Sequence, residues 1–553
     1  MISKANKNDD QHDDKRGAEH GRERASGATA ETMSRAVELH QRGELAQAAA
    51  LYLQIIEAEP DHADALHMLG VYALQSGDLQ AALDLIGRAV ALLPQAATPL
   101  LNLGTVHKQL GQHDAALRCI AQALALQPRH ATALNNYGSV LLAMQRHGDA
   151  LPWFERALAI AADDADAWNN LGNALLELRR HEEALLCLDR ALQLQPQHVH
   201  ALFNRGNALQ FLNRTDAALD SYARVLECDP EHVDAHFNMG VCRLLNGDLE
   251  HGWPQYEWRW RKAAYAALMP LGAQPLWQGP VRDGPSRDDT ALAGKTLLVY
   301  SEQGYGDTLQ LCRYVPLLAA RGARVILRVQ PALKTLLATL PGAQVMATDE
   351  ALPDYDLHCP LMSLPLAFGT RLASIPAATP YLHADPQRDA RWRALLGAAD
   401  KPRIGIAWAG SGAHANDALR SMPLIALRRI VTPALEFISL QKELRAVDRL
   451  LLANAGIALY AAQQNDFADT AALIAQMDLV ICVDTSIAHL AGAMGKPVWL
   501  LLPFAPDWRW MLGRDDSPWY PTMRLFRQTR SGDWDDVLDA VARRLAQDWP
   551  TQS

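Results

Sequence analysis

The sequence has no CxxC pair, no basic stripe and no apolar run long enough to cross a bilayer. Its seven cysteines (Cys119, Cys187, Cys228, Cys242, Cys312, Cys359 and Cys482) stand far apart. Such spacing suits buried thiols in a reducing compartment better than disulfides or a zinc site. Acidic residues outnumber basic ones, 62 to 52, for a formal net charge of -10. Clustered Lys and Arg of the kind that neutralise phosphates are missing, which argues against a nucleic-acid partner. The longest apolar stretches, such as Val498 to Leu502, are far below the ~20 residues of a spanning helix, so no transmembrane segment is expected. Residues 1–29 are dense in Asp, Lys, Arg, His and Glu with almost no apolar residue; they lack a signal-peptide core and are expected to stay disordered. The expected location is the cytoplasm, with any contact to the inner membrane peripheral.

What the chain does have is a period. Gly70, Gly104, Gly138, Gly172, Gly206 and Gly240 recur every 34 residues, with alanines at Ala48, Ala82, Ala116, Ala150, Ala184 and Ala218 and prolines at Pro60, Pro94, Pro128, Pro196 and Pro230. Small residues let two helices approach closely, and proline ends the second helix of each unit because it lacks an N–H and clashes one turn back. Each unit therefore reads as a helical hairpin that cannot bury its apolar face alone, so the units must stack into a solenoid with a groove. The pattern resembles tetratricopeptide repeats, with about six full units from roughly Ala30 to His232. In a seventh, Gly252 replaces the alanine and Trp253, Tyr256, Trp258 and Trp260 crowd in, which looks like a capping junction.

An asparagine column, Asn102, Asn136, Asn170, Asn204 and Asn238, runs two residues before the glycines. An amide offers donor and acceptor together, so a row of them could pair with the backbone of an extended peptide. O-GlcNAc transferases are similar in carrying such a ladder. The alternative is that these amides bond between adjacent repeats and are structural.

After a Pro-, Gly- and Asp-rich stretch the pattern changes to short apolar strands alternating with helices, as a parallel sheet covered by helices requires. Strands fit Thr296 to Ser301, Arg324 to Val329, Gln344 to Ala347 and Asp356 to Cys359, then Ile404 to Trp408, Glu436 to Leu440, Ala458 to Ala461, Leu479 to Val483 and Val498 to Leu502. Two Rossmann-like sheets in tandem place a cleft where strand carboxyl ends and helix N-termini converge. Three segments sit at such ends. Gly304-Tyr305-Gly306-Asp307-Thr308 turns tightly into a helix, and Asp307 could be a simple N-cap. Ala409-Gly410-Ser411-Gly412 is followed by Arg420 and is not a full GxGxxG. Asp484-Thr485-Ser486-Ile487-Ala488-His489-Leu490 leaves a buried strand for a helix, where hydroxyls and free N–H groups could hold a diphosphate.

In this order and spacing the segments resemble glycosyltransferase family 9, the heptosyltransferases, over about Lys295 to Trp549. The resemblance implies the GT-B fold, a nucleotide-diphosphate sugar as co-substrate and no separate cofactor or metal. It implies Asp307 as catalytic base and donor contacts from Asp484, Thr485 and His489; Gly304, Gly306, Ser411, Arg420, Gln441, Lys442 and Ser486, at or near the same strand ends, are the further candidate donor contacts. The Phe437 to Lys442 segment looks like the stretch that places a basic residue near the donor in related repeat-bearing transferases. Ser486 stands where the heptosyltransferases have glycine, a departure that bears on which sugar fits. His489 could equally be a packed core residue, and Arg420 and Lys442 solvated charges. Asp354-Tyr355-Asp356 is read as an incidental DxD, and Trp508, Arg509, Trp510, Trp519, Tyr520 and Arg527 as packing.

The expected organisation is thus an α-solenoid followed by a GT-B pair. The boundaries are 1–29 disordered, 30–262 repeats, 263–294 linker, 295–390 acceptor-side domain and 391–553 donor-side domain. The expected function is inverting glycosyl transfer to a protein or glycan acceptor presented by the repeats. A non-catalytic scaffold or a GT-B nucleotide-sugar epimerase is the alternative.

Overall fold

The computed structural model describes residues 27–269, 274–279, 292–410, 412, 417–452 and 455–550. The chain divides into two compact units, Met1–Arg205 and Gly206–Ser553. In the first, residues 27–41 form a helix, so three residues of the expected disordered tail are helical and the rest of that tail lies outside the described residues. This helix pairs with Leu45–Ala58, and antiparallel helix pairs follow, from Ala63–Gln75 with Leu79–Leu92 through Ala165–Glu177 with His181–Leu194. The glycine column explains their spacing. A Cβ on Gly104 would lie 2.6 Å from an Ile120 side-chain carbon, so only hydrogen lets these two helices close. Each hairpin turns through a left-handed residue at the same 34-residue interval: Gly43, Gly77 and Gly111, then Gln145 and Arg179. Asp78 and Asp164 accept backbone N–H bonds at helix starts, where unpaired donors need a partner.

The second unit opens with the last hairpins, Thr215–Cys228, Val233–Leu245 and Leu249–Tyr256. The boundary expected at residue 262 is therefore not where the chain separates into compact bodies. The reason is burial: Leu244, Leu245, Leu249, Trp253 and Tyr256 share one apolar core with Trp508, Trp510 and the strands that follow. The Trp253 indole donates to the Thr370 carbonyl at 3.1 Å, and Leu512 N to the Leu245 carbonyl at 3.2 Å. Part of the expected linker is also built in. Trp277 is buried, and its N–H donates to the His358 carbonyl at 2.8 Å.

Two parallel sheets complete the unit. The first contains β1 (Thr296–Tyr300), β2 (Arg324–Val329), β3 (Ala343–Ala347) and β4 (Leu357–Pro360) in the order β3-β2-β1-β4. The second contains β5 (Arg403–Ala407), β6 (Glu436–Ser439), β7 (Ile457–Leu459), β8 (Leu479–Val483), β9 (Val498–Leu502) and β10 (Met523–Arg527) in the order β10-β9-β8-β5-β6-β7. Strands β5, β8 and β9 are buried at every position, as unbroken apolar runs in parallel sheets must be. In both sheets the order reverses beside the first strand, so β1 and β8 deliver their carboxyl ends at switch points, where ligands bind open α/β sheets. No helix among the described residues is long and apolar enough to cross a membrane.

Candidate functional site

Beyond β1 the chain turns through Glu302 to Gly304 into the helix Tyr305–Leu311, and beyond β8 through Asp484 and Thr485 into the helix Ser486–Ala493. These two turns meet. A Cβ on Gly306 would lie 2.7 Å from Cδ2 of His489, so the first loop rests directly on the second helix and tolerates no side chain there.

Asp307 does cap its helix, with one carboxylate oxygen accepting from Gly304 N at 2.7 Å, but its other oxygen is ion-paired with Arg509. Arg509 is itself buried and donates to Gln310 Oε1 at 2.7 Å and to Asp507 at 2.8 Å. The expectation that Trp508 to Trp510 only pack is corrected here. They are buried, yet Arg509 holds the carboxylate of Asp307 and Trp510 stacks on His489, ring centroids 5.3 Å apart. The sequence signal for Arg509 was an arginine inside an aromatic cluster just after β9. A charge in such surroundings needs a buried partner, and that partner lies some 200 residues earlier.

The second turn is electrostatically strained. Burial, with the nearby charge of Asp507, raises the Asp484 carboxyl to about 6, against relief from the Trp510 indole, Arg420 and Arg509. His489 is buried, and desolvation followed by the charges of Arg509, Arg313 and Arg420 pushes its imidazole well below the ordinary histidine value, leaving it neutral. Several buried polar atoms here make no hydrogen bond among the described residues, Trp510 Nε1 and Gln310 Nε2 among them. The Thr485 hydroxyl, at the N-cap of Ser486–Ala493, and Nε of Arg420 are buried and make no hydrogen bond among the described residues. Arg420 Nε lies 3.6 Å from an oxygen of Asp417, which is engaged by Ser421 and Arg445.

The structure thus brings Gly304, Gly306, Asp307, Arg420, Asp484, Thr485 and His489 into one neighbourhood, with Ser486 half-buried as the first residue of the second helix. Gln441 acts locally. Its Oε1 accepts from the backbone of Trp408 and Ala409 at 3.3 and 3.2 Å, and its Nε2 donates to the Glu443 carbonyl. The amide therefore braces the end of β5. Lys442 is exposed, with Nζ on the Asn465 carbonyl at 2.8 Å. Ser411 lies outside the described residues. Asp356 accepts from Thr296 N at 2.7 Å, at the amino end of β1 and away from the two turns.

The asparagine column bonds along the repeats. Asn102 Nδ2 meets His67 Nε2 at 2.8 Å, while Asn170 and Asn204 donate to the carbonyls of Asn135 and Asn169 at 3.0 Å. In the second unit Asn238 donates to Asn207 at 2.9 Å. The first three bonds span 35 residues, so each of these amides hands an N–H to the repeat before it. At that spacing Asn136 meets Leu101, which has no side-chain acceptor. The sequence pointed to the column; the partner column one residue earlier (His67, Asn135, Asn169) carries the other half of the signal.

Comparison with known proteins agrees with this partition. Residues 34–97, 95–163, 165–198 and 203–251 match tetratricopeptide repeat models. Residues 446–501 match glycosyltransferase family 9 (heptosyltransferase), a stretch that includes Asp484 to His489 but not Asp307. Protein FlbA of Caulobacter vibrioides is 30% identical over 332 residues, covering 54% of this chain and 52% of that protein. The chain thus spans about half the length of this curated relative. Among solved structures, the APC/C hetero-tetramer Cut9-Hcn1 is similar over 39% of this chain and 42% of that one, with 18% identity and a TM-score of 0.37. Pseudomonas aeruginosa pilF is similar over 37% and 93%, with 21% identity and a TM-score of 0.34. YrrB, described as a TPR protein with an unusual peptide-binding site, is similar over 33% and 95%, with 22% identity and a TM-score of 0.27. The chain carries tetratricopeptide repeats followed by a glycosyltransferase-like α/β region.

Proposed function

We propose that the second unit transfers a sugar from a nucleotide-diphosphate donor with inversion at the anomeric carbon, and that the repeats hold the acceptor, a protein or a glycan. One observation carries the reading: the buried Thr485 hydroxyl makes no hydrogen bond among the described residues, and Arg420 Nε has only an ion-pair contact of 3.6 Å with Asp417, at a helix start that faces the Asp307 loop. A buried donor without a partner is costly, so its persistence marks a place where a ligand completes the bonding. A diphosphate suits it. Its oxygens would take N–H groups at the start of Ser486–Ala493 together with the Arg420 guanidinium and the Thr485 hydroxyl.

In the transfer step the acceptor oxygen forms a bond to the anomeric carbon as the bond from that carbon to the diphosphate oxygen breaks, and the acceptor proton passes to Asp307. Arg509 keeps the Asp307 carboxylate aimed, while the charge arriving on the leaving diphosphate is met by Arg420, Thr485 and the helix start rather than by a metal ion. Ser486 bears on the choice of sugar by adding a hydroxymethyl group at the first helical position. The repeat amides support acceptor binding because each uses only one of its N–H groups on a neighbouring unit, leaving the second available.

The test is nucleotide release from a panel of UDP-, ADP- and GDP-sugars, with mass spectrometry of proteins and envelope glycans to identify the acceptor. Asp307→Asn, which keeps a capping oxygen, is expected to lower turnover by roughly 10²–10⁴-fold with nucleotide affinity little changed. Donor turnover without any acceptor would identify an epimerase, and affinity without turnover in the wild type would identify a binding scaffold.

A further inference from the structure

Tyr520 lies in the loop before β10 and is fully buried. Its ring packs against Gly492, where a Cβ would lie 2.6 Å from a ring carbon, so the bare helix face lets the phenol slide alongside to reach the histidine one turn earlier. The contact is a hydrogen bond of 2.9 Å between the Tyr520 hydroxyl and His489 Nδ1. Which atom supplies the proton follows from the surroundings. The Arg313 guanidinium stacks 4.7 Å from the centroid of the Tyr520 ring and can only donate. The neighbouring Tyr381 hydroxyl already donates to the Leu309 carbonyl and accepts from Arg313, both at 2.8 Å. Among the described residues, the acceptor that meets the Tyr520 hydroxyl with full hydrogen-bond geometry is His489 Nδ1, and the Tyr381 hydroxyl, which also interacts with Tyr520, is the competing acceptor. Were Nδ1 to carry the proton instead, the buried phenol would have to donate to the Tyr381 hydroxyl, which is already engaged with Leu309 and Arg313, a poorer arrangement than the 2.9 Å bond to Nδ1. Burial also pushes the Tyr520 phenol up to about 12, against the pull of Arg313, so its proton stays in place.

We infer that Tyr520 is a positioning residue that locks His489 in the tautomer bearing its proton on Nε2. The imidazole is then an uncharged N–H donor and is not a base through Nε2. That nitrogen lies 3.3 Å from where a Gly306 Cβ would stand, so the donor sits at the meeting of the two turns. Trp510 stacked on the ring fixes its plane. Resting on the proposed function, the group that accepts this N–H is an oxygen of the donor diphosphate. The assignment separates the work of the two candidate proton carriers: Asp307 takes the acceptor proton, and His489 holds the leaving group.

The experiment uses the full chain labelled with 15N in the histidine rings, His489→Gln supplying the assignment among the 19 histidines. The expected wild-type spectrum has a pyrrole-type Nε2 and a pyridine-type Nδ1 at His489, unchanged between pH 6 and 8. Tyr520→Phe, which keeps the ring and its packing, is expected to convert this to a mixture of tautomers and to weaken UDP, ADP or GDP, whichever the wild type binds, by about tenfold. Thr485→Val is expected to weaken the same nucleotide with the wild-type tautomer intact. A protonated Nδ1 in the wild type, or an unaltered spectrum in Tyr520→Phe, overturns the lock. Unaltered nucleotide affinity beside an altered spectrum overturns the donor role. A wild type that binds no nucleoside diphosphate, with the tautomer as expected, sinks the proposed function while the lock stands.

Discussion

The repeat ladder and the cleft at the start of Ser486–Ala493 both place small polar side chains on helices, and they treat them in opposite ways. In the first unit Asn102, Asn170 and Asn204 each give an N–H to the neighbouring repeat. In the second, the Thr485 hydroxyl and Arg420 Nε are buried and make no hydrogen bond among the described residues. A satisfied amide stabilises its own fold, whereas an orphaned donor destabilises it until something binds. Polar side chains can therefore be sorted into scaffold and site by asking what they lose when truncated.

The largest effect on that comparison is expected where opposite charges are buried together, although Arg259 Nε and Glu302 Oε2 make no hydrogen bond among the described residues. Arg259, fully buried, donates to Glu257 at 2.5 Å and to Glu302 and Ser363 at 2.9 Å. Burial already raises the Glu302 carboxyl to about 7 against the pull of Arg259. Arg259→Ala would leave Glu302 buried without its cation, and the second unit should lose about 3–5 kcal/mol in urea unfolding. A loss under about 1 kcal/mol would show that the network is solvated and not a scaffold element.

Asp484 comes next, as the strained side of the comparison. Its ordinary value of 3.8 is raised to about 6 by burial and by Asp507. The folded protein thus binds this proton up to about pH 6, whereas the unfolded chain releases it near pH 4. Stability should fall as pH rises through that window and stay lowered above it. Asp484→Asn should remove the fall, with a gain at pH 7 of no more than about 3 kcal/mol. A stability profile between pH 4 and 7 that is the same in both proteins would contradict this account of the turn.

The smallest effects carry the sharpest contrast because they differ in sign. Asn170→Ala should destabilise the repeats by about 0.5–1.5 kcal/mol, and Asn136→Ala, whose partner position holds Leu101, by less. Thr485→Val should instead stabilise the empty protein by about 1 kcal/mol while reducing nucleotide affinity. If Thr485→Val destabilises the empty protein, the hydroxyl already has a partner and the cleft loses its main support. Within the repeats, replacing Asn136, Asn170 and Asn204 together should reduce acceptor use and spare donor affinity; equal use of every acceptor would remove the ladder from the site.

Much of this was legible in the chain because it is local. Period, capping and strand alternation depend on residues within a turn or a hairpin of one another, so the solenoid, nine of the strands and the β8 turn could be read from spacing. Strand β10 was missed because it lies among aromatics that read as packing, and it becomes a strand only by pairing in parallel with β9. The bracing role of Gln441 was hidden for a related reason: only the nearby backbone of Trp408 and Ala409 shows what its amide holds.

By itself the sequence determined the repeat architecture, the two-sheet class and the two turns that carry Asp307 and Asp484 to His489, since each follows from short-range sterics and apolar periodicity. Only the tertiary structure decided that the last hairpins belong to the same body as the sheets. It also decided that Arg509 holds Asp307, that Tyr520 holds His489, and that the ladder bonds to itself while the Thr485 hydroxyl and Arg420 Nε make no hydrogen bond among the described residues. Those decisions rest on pairs as far apart as Leu245 and Leu512, set by which side chains a shared core forces together, and no local pattern encodes them.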